Sequence, residues 1–262
     1  MIHYHLTSIA TLRPTTPAMV LPSEDSPGSR TRTQRAVVEA AVGYTLILIT
    51  LWSPAPVRGW VALAAAFWIF GSLLLSGEPG RGFGLGELRR CSWAVGLALA
   101  GAAAWIALAA HLGTLHFDSQ LSARRPPMMG YLLSSLIQQI ILQCFIMARM
   151  LVLLRRPWIA NAAAAVLFSA AHLPNPLLVL ATLLWGMAAC WLFLRYRSLI
   201  GVAAIHFVLG VCVAICVPAS LQHNMRVGLG YSRYHVPSRR AHTLGPIDAG
   251  EVRAAAVHRS SE

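Results

Sequence analysis

Five polar side chains lie within or at the edge of apolar stretches of this 262-residue chain, and they are its candidates for chemistry. Polar groups at membrane depth are costly, so they mark functional sites by default. An imidazole binds metals or transfers protons near neutral pH. A glutamine amide donates and accepts hydrogen bonds but takes up no proton there. The five residues are Gln138, Gln139, Gln143, His172 and His206.

Each of these residues also has a purely structural interpretation. Gln139 and Gln143 share a helical face at a spacing of four. Amides on such a face often bond neighbouring helices, at about 0.6–2 kcal/mol per bond. His172 ends an Ala-rich stretch, where it would serve as a cap, and a lone buried His206 would simply be satisfied by a neighbour. Together, however, polar residues on three separate segments of an otherwise apolar sequence indicate one shared cavity.

The elements that carry these residues are predicted to be membrane-spanning helices. Hydrophobic residues form 56% of the chain and charged residues only 11%, where a soluble domain has about 25% charged residues. Seven apolar blocks approach the ~20 residues needed to cross a bilayer, in which only helices satisfy their own backbone. We therefore expect an all-α polytopic membrane helix bundle of about seven or eight transmembrane helices. The blocks are 36–52, 60–76, 91–110, 128–149, 158–173, 177–194 and 199–217.

Composition also divides the chain into three regions. Residues 1–34 are polar and are expected to form a disordered arm, residues 35–218 the transmembrane domain, and residues 219–262 a basic flexible tail. Within the domain, only Pro174-Asn175-Pro176 separates two apolar blocks. That break is either a turn near one interface or a discontinuity within the membrane.

The formal net charge of +12 does not indicate nucleic-acid binding, and we expect no nucleic-acid partner. The arginines lie at the edges of apolar blocks, as in membrane proteins. Eleven arginines lie near the N-terminus or in or beside the loops 77–90, 150–157 and 195–198, on one side of the predicted bundle, and three lie on the opposite side, which predicts a cytosolic N-terminus. Seven helices would place the tail outside, where its arginines fit poorly; an eighth or re-entrant segment would remove the conflict. These tail residues are Arg226, Arg233, Arg239 and Arg240.

Acidic residues are almost absent from the second half of the chain. Of nine in total, none lies in the 129 residues between Asp118 and Asp248. Glu39 is the one acid predicted to lie on a helix, near the cytosolic end of the first. Any site formed by the five polar residues therefore has no nearby carboxylate in the sequence.

In order and spacing, these residues resemble the CPBP family of intramembrane proteases, which includes the CAAX prenyl endopeptidases and bacteriocin-processing and immunity proteins. The family pattern is EExxxR on one helix, FxxxH on the next and HxxxN or HxxxD on a later one. Here residues 138–143 read QQxxxQ, while Phe168 and His172 match the second element. His206 begins the third element, with Gly210 at its fourth position. The resemblance covers roughly residues 128–215.

The resemblance implies an intramembrane endopeptidase that processes a membrane-associated or lipidated protein or peptide in contact with membrane lipid. It implies that His172 and His206 hold water, a metal or the oxyanion, and that Gln138 and Gln139 position water or the scissile carbonyl. It also implies supporting roles, in the site or toward the substrate, for Gln143, Phe168 and Asn175. The candidate cofactor is a divalent metal such as zinc on His172 and His206, a set one ligand short of the usual three.

Two other functions remain open at this point. Replacement of all three charged residues of EExxxR by glutamine is also expected of a catalytically inactive relative that binds a membrane partner as a scaffold or substrate-binding protein. The third hypothesis is an unrelated small-solute carrier or assembly subunit. In each case we expect a multi-pass protein of a bacterial-type inner (plasma) membrane.

Overall fold

In a computed structural model, residues 27–76, 88–115 and 128–234 are described, and all their regular structure is helical. The predicted all-α class is therefore confirmed. An eight-residue π-helix, Ile140–Met147, lies between two of the α-helices, and a 3₁₀ turn, His223–Met225, between two others. The α-helices are α1 Pro27–Trp52, α2 Ala55–Leu75, α3 Leu88–His111, α4 Met128–Gln139, α5 Ala148–Leu154, α6 Pro157–Ala170, α7 Pro176–Tyr196, α8 Leu199–Cys216, α9 Ala219–Gln222 and α10 Gly228–Ser232.

Among the described residues, six helical segments are long and apolar enough to cross a bilayer, with α4, the π-helix and α5 counted as one. The sequence predicted seven such segments, and the one that is not long enough is the block 158–173. That block forms α6, which ends at Ala170 and spans about 21 Å at 1.5 Å per residue, less than a ~30 Å hydrocarbon core. Pro174 gives the reason, because it has no N–H for the carbonyl of Ala170, four residues earlier, and its ring would clash with that carbonyl in a continued helix.

The helices pack around the second half of the chain. α6 lies against α7, α3 and α4 lie against α8, and α1 contacts α2 and α5. Leu142, Phe145 and Met147 of the π-helix are buried together with Phe193 of α7 and Val202 of α8. The segment that carries the glutamines therefore runs through the centre of the core.

The outer faces of the helices expose large apolar side chains. Phe67 is 84% exposed, and Trp60 and Leu75 also lie largely uncovered. A water-soluble monomer rarely leaves such a continuous apolar surface open, whereas lipid covers it at no cost. Together with the six membrane-length helices, this surface identifies an integral membrane protein.

The helical part extends beyond the predicted domain limits of 35–218. α1 already begins at Pro27, a residue type favoured in the first turn because it gives up no helical hydrogen bond there. Residues 219–234, predicted as the start of a flexible tail, form α9, the 3₁₀ turn and α10. The remaining predicted arm, 1–26, and tail, 235–262, lie outside the described residues.

Hydrogen bonds to the backbone of this C-terminal segment hold it on the loop between α6 and α7. The Asn175 side chain donates to the carbonyls of Gln222 at 2.8 Å and Arg226 at 3.2 Å. The Gly228 N–H donates to the Leu173 carbonyl at 2.8 Å. The segment 218–232 therefore lies at the same end of the bundle as the α6–α7 loop.

Candidate active site

A chain of hydrogen bonds joins the buried side chains of Gln143, Gln139 and His206. The Gln143 Nε2 donates to the Gln139 Oε1 at 3.1 Å. The Gln139 Nε2 lies 3.1 Å from the His206 Nδ1. Gln139 ends α4, Gln143 follows in the π-helix and His206 lies near the middle of α8. The structure thus brings together three of the five polar residues found in the sequence.

The direction of these bonds determines where His206 carries its proton. An amide nitrogen only donates, so the Gln139 Nε2 donates and the His206 Nδ1 accepts with its lone pair. A neutral imidazole protonates one nitrogen at a time, which leaves the His206 proton on Nε2. Toward the rest of the site, His206 therefore presents an N–H donor and no proton acceptor.

The π-helix Ile140–Met147 places Gln143 at the centre of this network. π-Helical segments are rare, and those that occur often lie at functional sites. Six consecutive residues, from Leu142 to Met147, are buried, which means that other elements enclose the segment on every side. Gln143 is the single amide in this apolar run, and its bond to Gln139 gives it a partner inside the bundle.

His172 lies in the turn after α6 and has the opposite proton arrangement. Its Nδ1 lies 2.8 Å from the Phe168 carbonyl oxygen, which only accepts, so Nδ1 donates. Burial lowers the pKa of His172 from its ordinary value of 6.5, with the bond to Phe168 opposing that shift. The ring is therefore neutral near pH 7, and its Nε2 lone pair is a proton acceptor.

Phe168 is a common neighbour of both imidazoles. Its ring centroid lies 4.9 Å from that of His172, at an interplanar angle of 70°. The corresponding values for His206 are 6.0 Å and 80°. Both are edge-to-face contacts. One aromatic side chain thus contacts both a histidine whose Nε2 carries a lone pair and a histidine whose Nε2 carries a hydrogen.

Trp185 of α7 is a neighbour of the candidate site that sequence reasoning missed. Its ring centroid lies 6.1 Å from that of His206. Its indole nitrogen is buried and has no acceptor within the part of the chain that the structure describes. A tryptophan within an apolar block can equally well face lipid, so the sequence does not indicate that Trp185 contacts His206.

Gln138 and Asn175, like His172, lie outside this hydrogen-bond chain. Gln138 is half-buried and donates to the Ser134 Oγ at 3.1 Å, on its own helix. Asn175 is buried, and its side chain caps α7 by accepting from the Leu178 N–H at 3.2 Å. Asn175 therefore supports the fold next to His172, while Gln138 lies one helical step of about 100° from Gln139.

Glu39, the single acid among the described residues, is bound elsewhere. Its Oε2 accepts from the Arg149 guanidinium at 3.0 and 3.2 Å, and its Oε1 accepts from Arg35 at 2.7 Å. Arg149 also donates to the Ser72 Oγ at 3.2 Å and to the Cys144 carbonyl at 3.0 Å. These contacts join α1, α2, the π-helix and α5, so this carboxylate supports the fold and no contact links it to the Gln–His chain.

The donor set does not fit the suggested metal on His172 and His206. No three His, Cys, Asp or Glu side chains of residues 27–76, 88–115 and 128–234 gather closely enough to hold an ion. A metal-bound histidine donates its second ring N–H to an acceptor, but the His206 Nδ1 receives a hydrogen from Gln139. Only His172, whose Nδ1–H donates to the Phe168 carbonyl, has the hydrogen bonding of a metal ligand. One such histidine does not make a metal site, so we derive no step through a metal.

Comparison with known protein families finds a match over part of the chain. Residues 128–212 match the family model described as "Type II CAAX prenyl endopeptidase Rce1-like". The matched segment runs from the start of α4 into α8 and includes all five polar residues of the sequence. No curated protein and no solved structure matches the chain.

Proposed function

We propose that this chain, whose residues 128–212 belong to the CPBP/CAAX protease family, is an intramembrane endopeptidase. Its substrate would be a membrane-associated or lipidated protein. The observation that carries the proposal is the pair of histidines on the Phe168 ring, with a proton acceptor on His172 and a donor on His206. Peptide hydrolysis needs a base for water and a donor for the oxyanion.

The reaction begins when the His172 Nε2 takes a proton from water while the water oxygen bonds to the scissile carbonyl carbon. The carbonyl π electrons move to the oxygen, whose negative charge accepts a hydrogen bond from the His206 Nε2–H. The C–N bond then breaks as His172 returns its proton to the leaving nitrogen. The products are a new carboxyl terminus and a free amine, so atoms and protons balance without a carboxylate in the site.

The glutamines hold these groups in place. Gln139 keeps His206 in its donor form, and Gln143 orients Gln139 by donating to its oxygen. Gln138 is half-buried on the same turn as Gln139. From there its amide positions the attacking water or the scissile carbonyl.

The direct test is cleavage of a farnesylated peptide with three residues after its modified cysteine, by the full chain in lipid vesicles. His172→Ala removes the base and is expected to lower kcat by about 10²–10⁴-fold. The matched control is His111→Ala, at the exposed end of α3, which should cleave as wild type does. Equal activity of the two variants would contradict the assignment.

The same assay read against pH tests the proton state of His172. The base must be neutral to accept a proton, and burial lowers the pKa of His172 below 6.5. Activity should therefore persist down to pH 6.5 and fall only at lower pH, as the ring becomes protonated. A fall that begins at higher pH would contradict His172 as the base.

A second candidate function is a catalytically inactive relative that binds its substrate. The observation that favours it is the commitment of Glu39, the one acid in the described segments, to Arg149. Here wild type would bind the farnesylated peptide without cleaving it. The combined Gln138→Glu, Gln139→Glu and Gln143→Arg variant, which restores the charges of EExxxR, would then gain cleavage. Cleavage by wild type itself would exclude this alternative.

A further inference from the structure

Tyr131 of α4 lies directly over Gly210 of α8. A Cβ built on Gly210 would overlap the Tyr131 hydroxyl oxygen and would lie 2.6 Å from the ring carbon Cζ. Any residue other than glycine at 210 would therefore displace the tyrosine. The Tyr131 ring also contacts Phe207 of α8, with centroids 5.8 Å apart. The hydroxyl can therefore occupy this position only because residue 210 is a glycine.

This hydroxyl belongs to the same helix interface as the Gln139–His206 bond. It occupies the point where a side chain at residue 210 would begin. Residues four apart on a helix share a face, with Cβ atoms about 5–6 Å apart, and His206 lies four residues before Gly210. α4 and α8 pack against each other, and Tyr131 and Gln139 have the i, i+8 spacing of a single packed stripe.

We propose that Tyr131 is a catalytic hydrogen-bond donor, whose hydroxyl binds the oxygen that becomes negative in the tetrahedral intermediate, beside the His206 Nε2–H. This assignment rests on the proposed hydrolysis. A phenol keeps its proton at neutral pH, and tyrosine is among the side chains that stabilise an oxyanion when held in a preorganised, water-poor site.

The inference also gives a physical reason for Gly210. The resembled family has Asn or Asp at the fourth position of its third element, whereas this chain has no side chain there. The space is filled from the neighbouring helix by a side chain that ends in a polar hydroxyl. A polar group is thus retained one turn from His206, although it comes from α4.

Tyr131→Phe removes only the hydroxyl and tests the role directly. With the farnesylated peptide in vesicles, kcat is expected to fall about 10²-fold. KM should stay unchanged, because the oxyanion exists only after attack. The matched control is Tyr196→Phe at the C-terminal end of α7. Its ring packs against Trp93 and Trp191, away from the site residues, so wild-type kcat is expected.

Gly210→Ala is a second route that keeps the hydroxyl and moves it. It should lower kcat as Tyr131→Phe does, and the combined variant should lose no more than the larger single loss, because both changes remove one donor. Active wild type with Tyr131→Phe within twofold in kcat would overturn the role of Tyr131 alone. A changed KM or thermal midpoint with unchanged kcat would also overturn that role, because such a result indicates only an effect on packing. Inactive wild type would overturn the hydrolysis itself and this role with it.

Discussion

The protons of His172 and His206 are placed by what each Nδ1 contacts, a backbone carbonyl in one case and a glutamine amide in the other. A carboxylate at residue 139 would accept where the amide donates, and it would move the His206 proton from Nε2 to Nδ1. The exchange of EExxxR for QQxxxQ therefore changes the direction of the hydrogen bond as well as the charge. At the residue scale, hydrogen-bond direction gives the two histidines different roles.

Replacing Gln139 by Leu should destabilise the protein far more than the same change at Gln138. Gln139→Leu leaves the Gln143 amide and the His206 Nδ1 without partners in the buried site, at a cost of about 1–3 kcal/mol. Gln138→Leu removes one bond to Ser134 from a half-buried position, about 0.6 kcal/mol. Denaturant unfolding in detergent measures both. Equal losses would show that the Gln–His chain contributes nothing of its own.

Sequence spacing predicted part of this arrangement and was silent on the rest. A separation of four indicated that Gln139 and Gln143 share a face, and they are hydrogen-bonded. Which of Gln138 and Gln139 turns toward α8 depends on how α4 is rotated against that helix. The sequence does not determine that rotation, because both glutamines belong to one polar stripe of α4, with Ser134 and Ser135 one turn earlier, and α8 is apolar on every side apart from His206.

At the scale of whole elements, Arg149 is the residue that ties the π-helix to the rest of the bundle. It donates to the Cys144 carbonyl within the π-helix and to Glu39 on α1 and Ser72 on α2. Cation–π contact adds to this, with the guanidinium carbon 4.5 Å from the Phe145 ring centroid. Sequence reasoning did not find this joint because Glu39 and Arg149 are 110 residues apart.

Glu39→Leu should destabilise the bundle by about 3 kcal/mol, because it leaves the Arg149 side chain, only 5% exposed, without its counter-charge. Glu39→Leu together with Arg149→Leu should recover much of that loss, since no buried charge then remains. The matched control is Arg35→Leu, whose side chain is 48% exposed and whose pair with Glu39 is worth about 0.3–0.5 kcal/mol.

Denaturant unfolding of these variants in detergent measures the three differences, and the peptide assay adds a second reading. Glu39→Gln should keep wild-type kcat per folded molecule, because Glu39 touches none of the site residues. A loss of kcat with stability unchanged would instead identify Glu39 as the missing base, contrary to the proposed role of His172.

At the scale of the whole molecule, most of the helices could be predicted and the C-terminal packing could not. A bilayer demands about 20 apolar residues per crossing, so long apolar blocks predict helices by length alone. α9 and α10 have only four and five residues, too short to form in isolation. They exist because Asn175 and Leu173 hold their backbone, and such contacts between distant residues have no local sequence pattern.

The two ends of the bundle differ in charge, which sets the expected orientation. Arg155 and Arg156 lie between α5 and α6 at one end, with Arg195 and Arg197 near the end of α7. The segment 218–232 lies at the other end, beside Leu173. Since cytosolic loops are enriched in arginine, we propose that the first end, with the N-terminus, faces the cytosol. α6 then crosses most of the membrane, and the loop 171–175 completes the distance to α7.

Single cysteines at the two ends test this orientation in bacterial cells that express the chain. Arg156→Cys and Ser232→Cys both replace exposed residues, and the five native cysteines are buried, so they should react slowly with a membrane-impermeant maleimide. We expect Ser232→Cys to be labelled in cells whose inner membrane is intact, and Arg156→Cys only after that membrane is opened. The reverse labelling pattern would show that the protein has the opposite orientation in the membrane. Labelling of both from one side would mean that α6 turns back within the membrane, because the chain between residues 156 and 232 crosses an odd number of times only if α6 is a full pass.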